Sequence, residues 1–196
     1  MQWLEAMVEV ASMFDAEFCP DPVPVGYDAA LVYAGGSSAA HAWDTAELAR
    51  VAHLPRLPTW VPTPGVDDPV AAAEAFIGWL AEHEVAAVNP VNGVHQLVMW
   101  DMETGQDSNH RWLKAAADRM AKSGYFNLVY GSISTLFALP ARSGYMVANP
   151  TGVEHMYLRP EVGGTQYTFN KPTSGGKIDM WALMRELVHQ FWQPAR

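Results

Sequence analysis

Leu97-Val98-Met99-Trp100-Asp101-Met102-Glu103-Thr104 is an apolar run that ends abruptly in two carboxylates one residue apart. Leu, Val, Met and Trp follow one another without a polar face, which predicts a strand buried on both sides. Successive strand side chains alternate faces, so Asp101 and Glu103 project to the same side, their Cα atoms roughly 6.5–7 Å apart. Gly105 and the polar Gln106-Asp107-Ser108-Asn109 then break the strand and set both acids at its C-terminal mouth. Carboxylates so close repel each other, and one holds its proton longer. That difference is what a general acid and its electrostatic partner require. The plainer alternative makes one acid a helix N-cap and leaves the other merely exposed.

Working outward, strand and helix patterns alternate on both sides of this run. Upstream, Arg56–Val61 reads as a strand. Asp44-Thr45-Ala46-Glu47 starts a helix that runs to about Ala52, with an acid in its first turn, and Asp68-Pro69 starts another. Ala30–Ala34 and Val23–Asp28 are earlier strands, the latter ending in an acid. Leu4, Met7, Val8, Ala11, Phe14 and Phe18 recur at helical spacing and predict an amphipathic helix over 3–18, ended by Cys19-Pro20-Asp21-Pro22. Downstream, a helix over about 109–122 stops at Gly124. A strand over 127–131, a short helix over 132–139 and strands over 145–148, 165–169 and 175–181 follow. A final helix is expected over about 180–192, burying Leu183, Met184, Leu187, Val188 and Phe191. The alternation is the mark of an α/β protein with a parallel sheet. About eight strands fit, which favours a single, somewhat irregular (β/α)8-type, TIM-like barrel over an open sheet. The expected organisation is an N-terminal helix and linker over 1–22 and the barrel over 23–196.

The 196 residues are 49% hydrophobic and 17% charged, which suits one domain with a substantial core. A net charge of −9 argues against nucleic acid as a partner, and it opposes long-range attraction to any anionic polymer. Cys19 is the single cysteine, so no intramolecular disulfide and no cysteine metal cage can form. No apolar run reaches the roughly 18 residues that cross a membrane. Glu5, Glu9, Asp15 and Glu17 occupy an N-terminus without a basic start, so no secretion signal is expected. Action outside a cell would then need delivery by lysis or a virion; otherwise the protein would be cytoplasmic. There is no G-x-G-x-x-G or P-loop, and the histidines show no H-E-x-x-H spacing, so no cofactor and no zinc site are expected. A cation held by acids is the open alternative.

Acids close three predicted strands: Asp28 the first, Asp101 and Glu103 the central one, Asp179 the last. A closed barrel makes the first and last strands neighbours and gathers active sites at its C-terminal mouth. Asp28 and Asp179 would face the central pair there, a convergence that is costly unless the acids do chemistry or bind a cation. Trp60, Trp100, Tyr130, Tyr167 and Trp181 fall at or near strand ends, where they would either stack on sugar rings or pack the core.

In this order the pieces resemble the glycoside hydrolase family 25 lysozymes and a related glycoside-hydrolase-like domain of unknown function. Gly26-Tyr27-Asp28 looks like the family's first-strand G-x-D, and Asp101-Met102-Glu103 like its central D-x-E. Tyr130-Gly131-Ser132-Ile133-Ser134 is similar to its Y-x-S strand end, and Gln166-Tyr167-Thr168 with Ile178-Asp179 to its closing Q-Y-T and D. The resemblance covers about 23–185. Chitinase-type barrels also end a strand in D-x-E, but they carry another acid where this chain has Met99. The segment from Asp28 to Trp60 is shorter than in the lysozymes, and a long N-terminal helix is not part of their pattern.

The resemblance implies hydrolysis of the β-1,4 bond between N-acetylmuramic acid and N-acetylglucosamine in peptidoglycan. Glu103 would be the general acid, and Asp101 would steady the substrate's own acetamido group as it attacks the anomeric carbon. Asp28 and Asp179 would position that group. Tyr130, Tyr167, Trp60, Trp100 and Gln166 would bind the glycan. The alternatives are a divalent-metal hydrolase built on the acids and a non-catalytic carbohydrate-binding or structural barrel. The latter would sit in a virion or cell-envelope assembly and join a partner or a second copy through the N-terminal or C-terminal helix.

Overall fold

The computed structural model describes residues 9–36, 41–63, 67–102, 109–136, 144–157, 159 and 161–193. Eight strands close into one barrel: β1 Val10–Asp15, β2 Ala29–Gly36, β3 Arg56–Val61, β4 Leu97–Asp101, β5 Phe126–Ser132, β6 Gly144–Ala148, β7 Val162–Thr173 and β8 Gly176–Met184. Helices α1 Thr45–Arg50, α2 Pro69–Glu82, α3 His110–Lys122 and α4 Ile133–Leu136 connect β2 through β6, and α5 Arg185–Val188 follows β8. Every neighbouring pair from β1 to β7 is parallel, as the alternating pattern predicts. β8 runs antiparallel to both β7 and β1. The irregularity of this (β/α)8-type barrel lies there.

Two predicted helices are strands over part of their length. The expected helix over 3–18 is replaced at Val10–Asp15 by β1, which pairs with β8 from Val10↔Met184 to Asp15↔Asp179. Residues 1–8 lie outside the described residues. Phe14 faces outward onto Ala30 and Val32, whereas Ala11 and Met13 face the barrel interior. With both faces buried, a short apolar run carries no periodicity that separates helix from strand. The barrel therefore begins at Val10, ahead of the expected boundary at 23, and Val23–Asp28 is a loop leading into β2. At the other end, Met180–Met184 completes β8, and only Arg185–Val188 is helical in the span expected to form a final helix.

The interior is apolar. Met13, Leu31, Leu57, Leu97, Met99 and Leu128 fill it, and Val188 and Phe191 close its floor. Phe14, Val188 and Phe191, expected on the terminal helices, pack into the barrel's own clusters. A second layer forms where Phe76 and Leu80 of α2 and Leu113, Ala116 and Met120 of α3 cover Val98, Trp100 and Val129. Beneath the floor, the Arg56 guanidinium lies 3.5 Å from the centroid of the Trp192 ring, and the two residues exchange backbone hydrogen bonds of 2.9 and 2.8 Å. Burial lowers the Arg56 pKa to about 10.

The predicted helix starts carry their caps. Asp68 accepts from the N–H groups of Val70 and Ala71 ahead of α2, and Asn109 accepts from Trp112 N–H ahead of α3. At α1, Asp44 and Glu47 complete a capping box. Glu47 does more than cap. Buried at the edge of the barrel, it also accepts from Cys19 N–H at 2.9 Å and meets His41 Nε2 at 2.7 Å. Burial pushes its carboxyl pKa up, but the Asp44 and Cys19 N–H groups and His41 outweigh that and hold it below its ordinary value of 4.5.

A lowered carboxyl pKa stabilises the fold fully above the unfolded value, and that contribution disappears as pH falls through the folded one. Glu47→Ala should therefore lose about 2 kcal/mol at pH 7, from the cap and the hydrogen bonds together. The gap to wild type should narrow at pH 3. Urea denaturation at both pH values measures it, and an undiminished gap at pH 3 would refute the charged-cap account.

Candidate active site

The interior rows of the barrel change character at the C-terminal ends of its parallel strands. Ala11 and Met13 lead up β1 to Asp15, Leu97 and Met99 lead up β4 to Asp101, and Leu128 leads up β5 to Tyr130. Strand alternation puts each polar group on the same face as the apolar residues two and four places before it. A hydrophobic floor therefore ends in a ring of acids and hydroxyls. Antiparallel β8 adds Asp179 near its start, directly opposite Asp15, and Trp181 opposite Gln166 of β7.

Gln166 is the centre of this ring. Its Nε2 donates to Asp179 Oδ2 at 2.8 Å and to Asp15 Oδ2 at 3.5 Å, while its Oε1 accepts from the Tyr130 hydroxyl. The amide orientation follows from its neighbours, since the opposite flip would point a carbonyl at two carboxylates. Asp15 is 4% exposed and also accepts from Trp181 Nε1 at 3.1 Å and from the Tyr33 hydroxyl at 3.1 Å. Asp179 Oδ1 accepts from the backbone N–H of Asn170 at 2.6 Å, where Asn170 adopts a φ of +53°. The Trp181 ring meets Tyr130 edge to face at 4.9 Å. The donors and rings hold both acids in fixed positions.

A cleft of about 670 Å³ opens over this ring, a size suited to small-molecule or sugar binding. Among the described residues its charged lining is Asp15, Glu17, Asp101, Asp179 and Lys177, with Tyr33, Phe18 and His41 beside them. No group of three or more His, Cys, Asp or Glu side chains among the described residues is placed to hold a metal ion.

The structure brings together Asp101, Asp179, Tyr130 and Gln166 of the predicted site. Glu103 lies outside the described residues. Asp28 belongs elsewhere. It precedes β2, accepts from Ser12 N–H at 2.8 Å and Ser12 Oγ at 3.2 Å, and meets Arg185 at 3.3 Å, at the N-terminal end of the barrel. Burial pushes its carboxyl pKa up, but the Ser12 N–H, the Arg185 charge and the Ser12 hydroxyl together hold it below the ordinary value. The acid that ends the first strand is Asp15. The signal for it was present, an apolar run ending in an acid as at Asp101, but the coincident helical spacing of 3–18 concealed it.

The predicted aromatic platforms divide by face. Trp100 is fully buried in the helix layer between Phe76 and Trp112, each 5.6 Å away between ring centroids, and donates to Asn127 Oδ1. Trp60 packs on Phe76 in the same layer. Tyr167 occupies the face of β7 opposite to Gln166 and is buried; burial first, then Glu154 and Tyr27, push its hydroxyl pKa up to about 12. None of the three lines the cleft.

No protein-family model matches the sequence, and no curated protein matches it. Solved structures do match. An uncharacterized protein of B. stearothermophilus superposes with a TM-score of 0.71 at 13% identity, over 93% of this chain and 100% of that one. The bacterial lysozyme from Streptomyces coelicolor gives 0.68 at 16% identity, over 94% and 98%. A family GH25 lysozyme from Aspergillus fumigatus gives 0.66 at 11% identity, over 93% and 99%. Superposition along nearly whole chains at so low an identity is a likeness of fold, and the fold of this chain is the barrel of those lysozymes.

Proposed function

We propose that the protein is a glycoside hydrolase of muramidase type, cleaving the β-1,4 bond between N-acetylmuramic acid and N-acetylglucosamine in peptidoglycan. The observation that carries this reading is Asp101 ending an interior strand at a cleft that Asp15 and Asp179 also line, these two carboxylates being bridged by the buried Gln166 amide. The lysozyme-like barrel supports it, as does the D-x-E that Asp101 opens.

In this reading Glu103 donates its proton to the glycosidic oxygen as the bond to the anomeric carbon breaks. The substrate's acetamido oxygen attacks that carbon, and Asp101 accepts the acetamido N–H and stabilises the positive charge that develops. Water then opens the resulting ring, returning a proton to Glu103. This is the substrate-assisted variant of glycoside hydrolysis. The role expected of Asp28 passes to Asp15, which with Asp179 orients the substrate. Gln166 keeps the two carboxylates in place, and Tyr130 holds Gln166.

The deciding experiment is release of reducing ends from purified peptidoglycan by wild type beside Glu103→Gln. Wild type should be active, and the variant should lose roughly 10²–10⁴-fold in kcat, the usual contribution of a general acid. Equal release by both would remove Glu103 from the chemistry. No release by either, with glycan binding retained, would leave a carbohydrate-binding barrel.

Tyr130→Phe tests the positioning array. Withdrawing the hydroxyl from the buried Gln166 should cost about 1–3 kcal/mol of stability. It should also lower kcat about tenfold or more, because displaced catalytic groups are costly, while KM changes little. Lost stability with an unchanged kcat, measured well below the melting temperature, would give Tyr130 a structural role only.

A further inference from the structure

One wall of the cleft takes no part in the chemistry above. Phe18, three residues beyond β1, is 58% exposed there. An exposed phenylalanine is commonplace, but this one adjoins an anchored ring. Its ring lies 4.3 Å from the His41 imidazole, measured between centroids. His41 is held by the buried Glu47 carboxylate, which the N–H groups of Asp44 and Cys19 fix in turn. An exposed ring held beside an anchored one in a cleft wall offers a surface on which a sugar stacks.

Lys177 stands on the same side of the cleft. It is exposed near the start of β8, and among the described residues it has no ion-pair partner. The hairpin that carries it is pressed against the loop following Phe18: Asp21 N–H reaches Gly175 O at 3.4 Å, and a Cβ at Gly175 would come within 2.3 Å of Pro22 O. Thr173 Oγ donates to Gly176 O at 2.8 Å and braces the turn. The platform and the ammonium are therefore built on segments packed together. The other formally charged groups described in the cleft, Asp15, Glu17, Asp101 and Asp179, are acids that repel an anionic ligand.

We propose that Phe18 and Lys177 form a subsite in which a sugar ring stacks on Phe18 while its carboxylate pairs with the Lys177 ammonium. The cleft then selects glycans whose sugars carry a carboxylate over neutral ones of equal length. This assignment rests on the glycan-cleaving reading above and adds to it the residues that read the substrate's acidic substituent.

The test is calorimetric titration of Glu103→Gln, so that the proposed hydrolysis does not consume the ligand, with two soluble tetrasaccharides, one of alternating N-acetylglucosamine and N-acetylmuramic acid, the other of N-acetylglucosamine alone. This protein should bind the acidic one about tenfold more tightly, the contribution of one charged hydrogen bond. Adding Lys177→Glu should abolish that preference, and added salt should shrink it where Lys177 is kept. Phe18→Ala should weaken both ligands by about fivefold and leave the preference intact. A preference that survives Lys177→Glu overturns the subsite while the proposed hydrolysis stands. Binding with the expected preference but no cleavage of peptidoglycan by wild type overturns the hydrolysis and keeps the subsite. Binding of neither tetrasaccharide overturns both.

Discussion

Two carboxylates, one amide and one phenol meet at the closing seam of the barrel, and the remainder of the site is arranged around them. Asp15 and Asp179 face each other across the β1–β8 pair, and the Gln166 amide donates to both while accepting from Tyr130. Acids brought so close in an apolar barrel are unfavourable unless donors surround them. Tyr33 and Trp181 supply further donors to Asp15, and the Asn170 backbone supplies one to Asp179. This arrangement depends on β8 running antiparallel. A parallel last strand over the same residues would present Asp179 at a different height on the wall.

The apolar floor is the other half of the design. Leucine and methionine rows fill the barrel below the acids, so the polar groups stand on a dry, close-packed base. Helices cover the outer face from β2 to β6, whereas β8 is covered outside by Ile178 packing among Phe14 and its neighbours and by the loop bearing Tyr27. Glu47 links the two regions. It caps α1 and also holds His41 beside Phe18, so a helix start outside the barrel sets the position of a ring in the cleft wall.

Much of the architecture was legible in the residues. Arg56–Val61 forms a strand over the predicted span, the strand from Leu97 and those at 126–132 and 144–148 lie where expected, and the helices at 69–82 and 110–122 occupy their expected spans, the first beginning at the expected Asp68 cap. Of the expected site residues, Asp101 and Asp179 line the cleft, whereas Tyr130 and Gln166 lie buried beneath it, joined to each other and to Asp179. The failures have a common form. Val10–Asp15 and Met180–Met184 satisfy helical and strand patterns alike because both their faces are buried.

Caps, a first-turn proline and apolar runs ending in acids act between residues close in the chain, so the sequence by itself determined an α/β barrel of alternating elements with carboxylates at its mouth. The tertiary structure alone decided that Val10–Asp15 pairs with β8, which puts Asp15 in the place expected for Asp28. It also decided which face of each strand turns inward, sending Trp60, Trp100 and Tyr167 away from the cleft. Both decisions are questions of register between segments far apart in sequence. A one-residue shift exchanges the two faces of a strand, and only the closed barrel selects one.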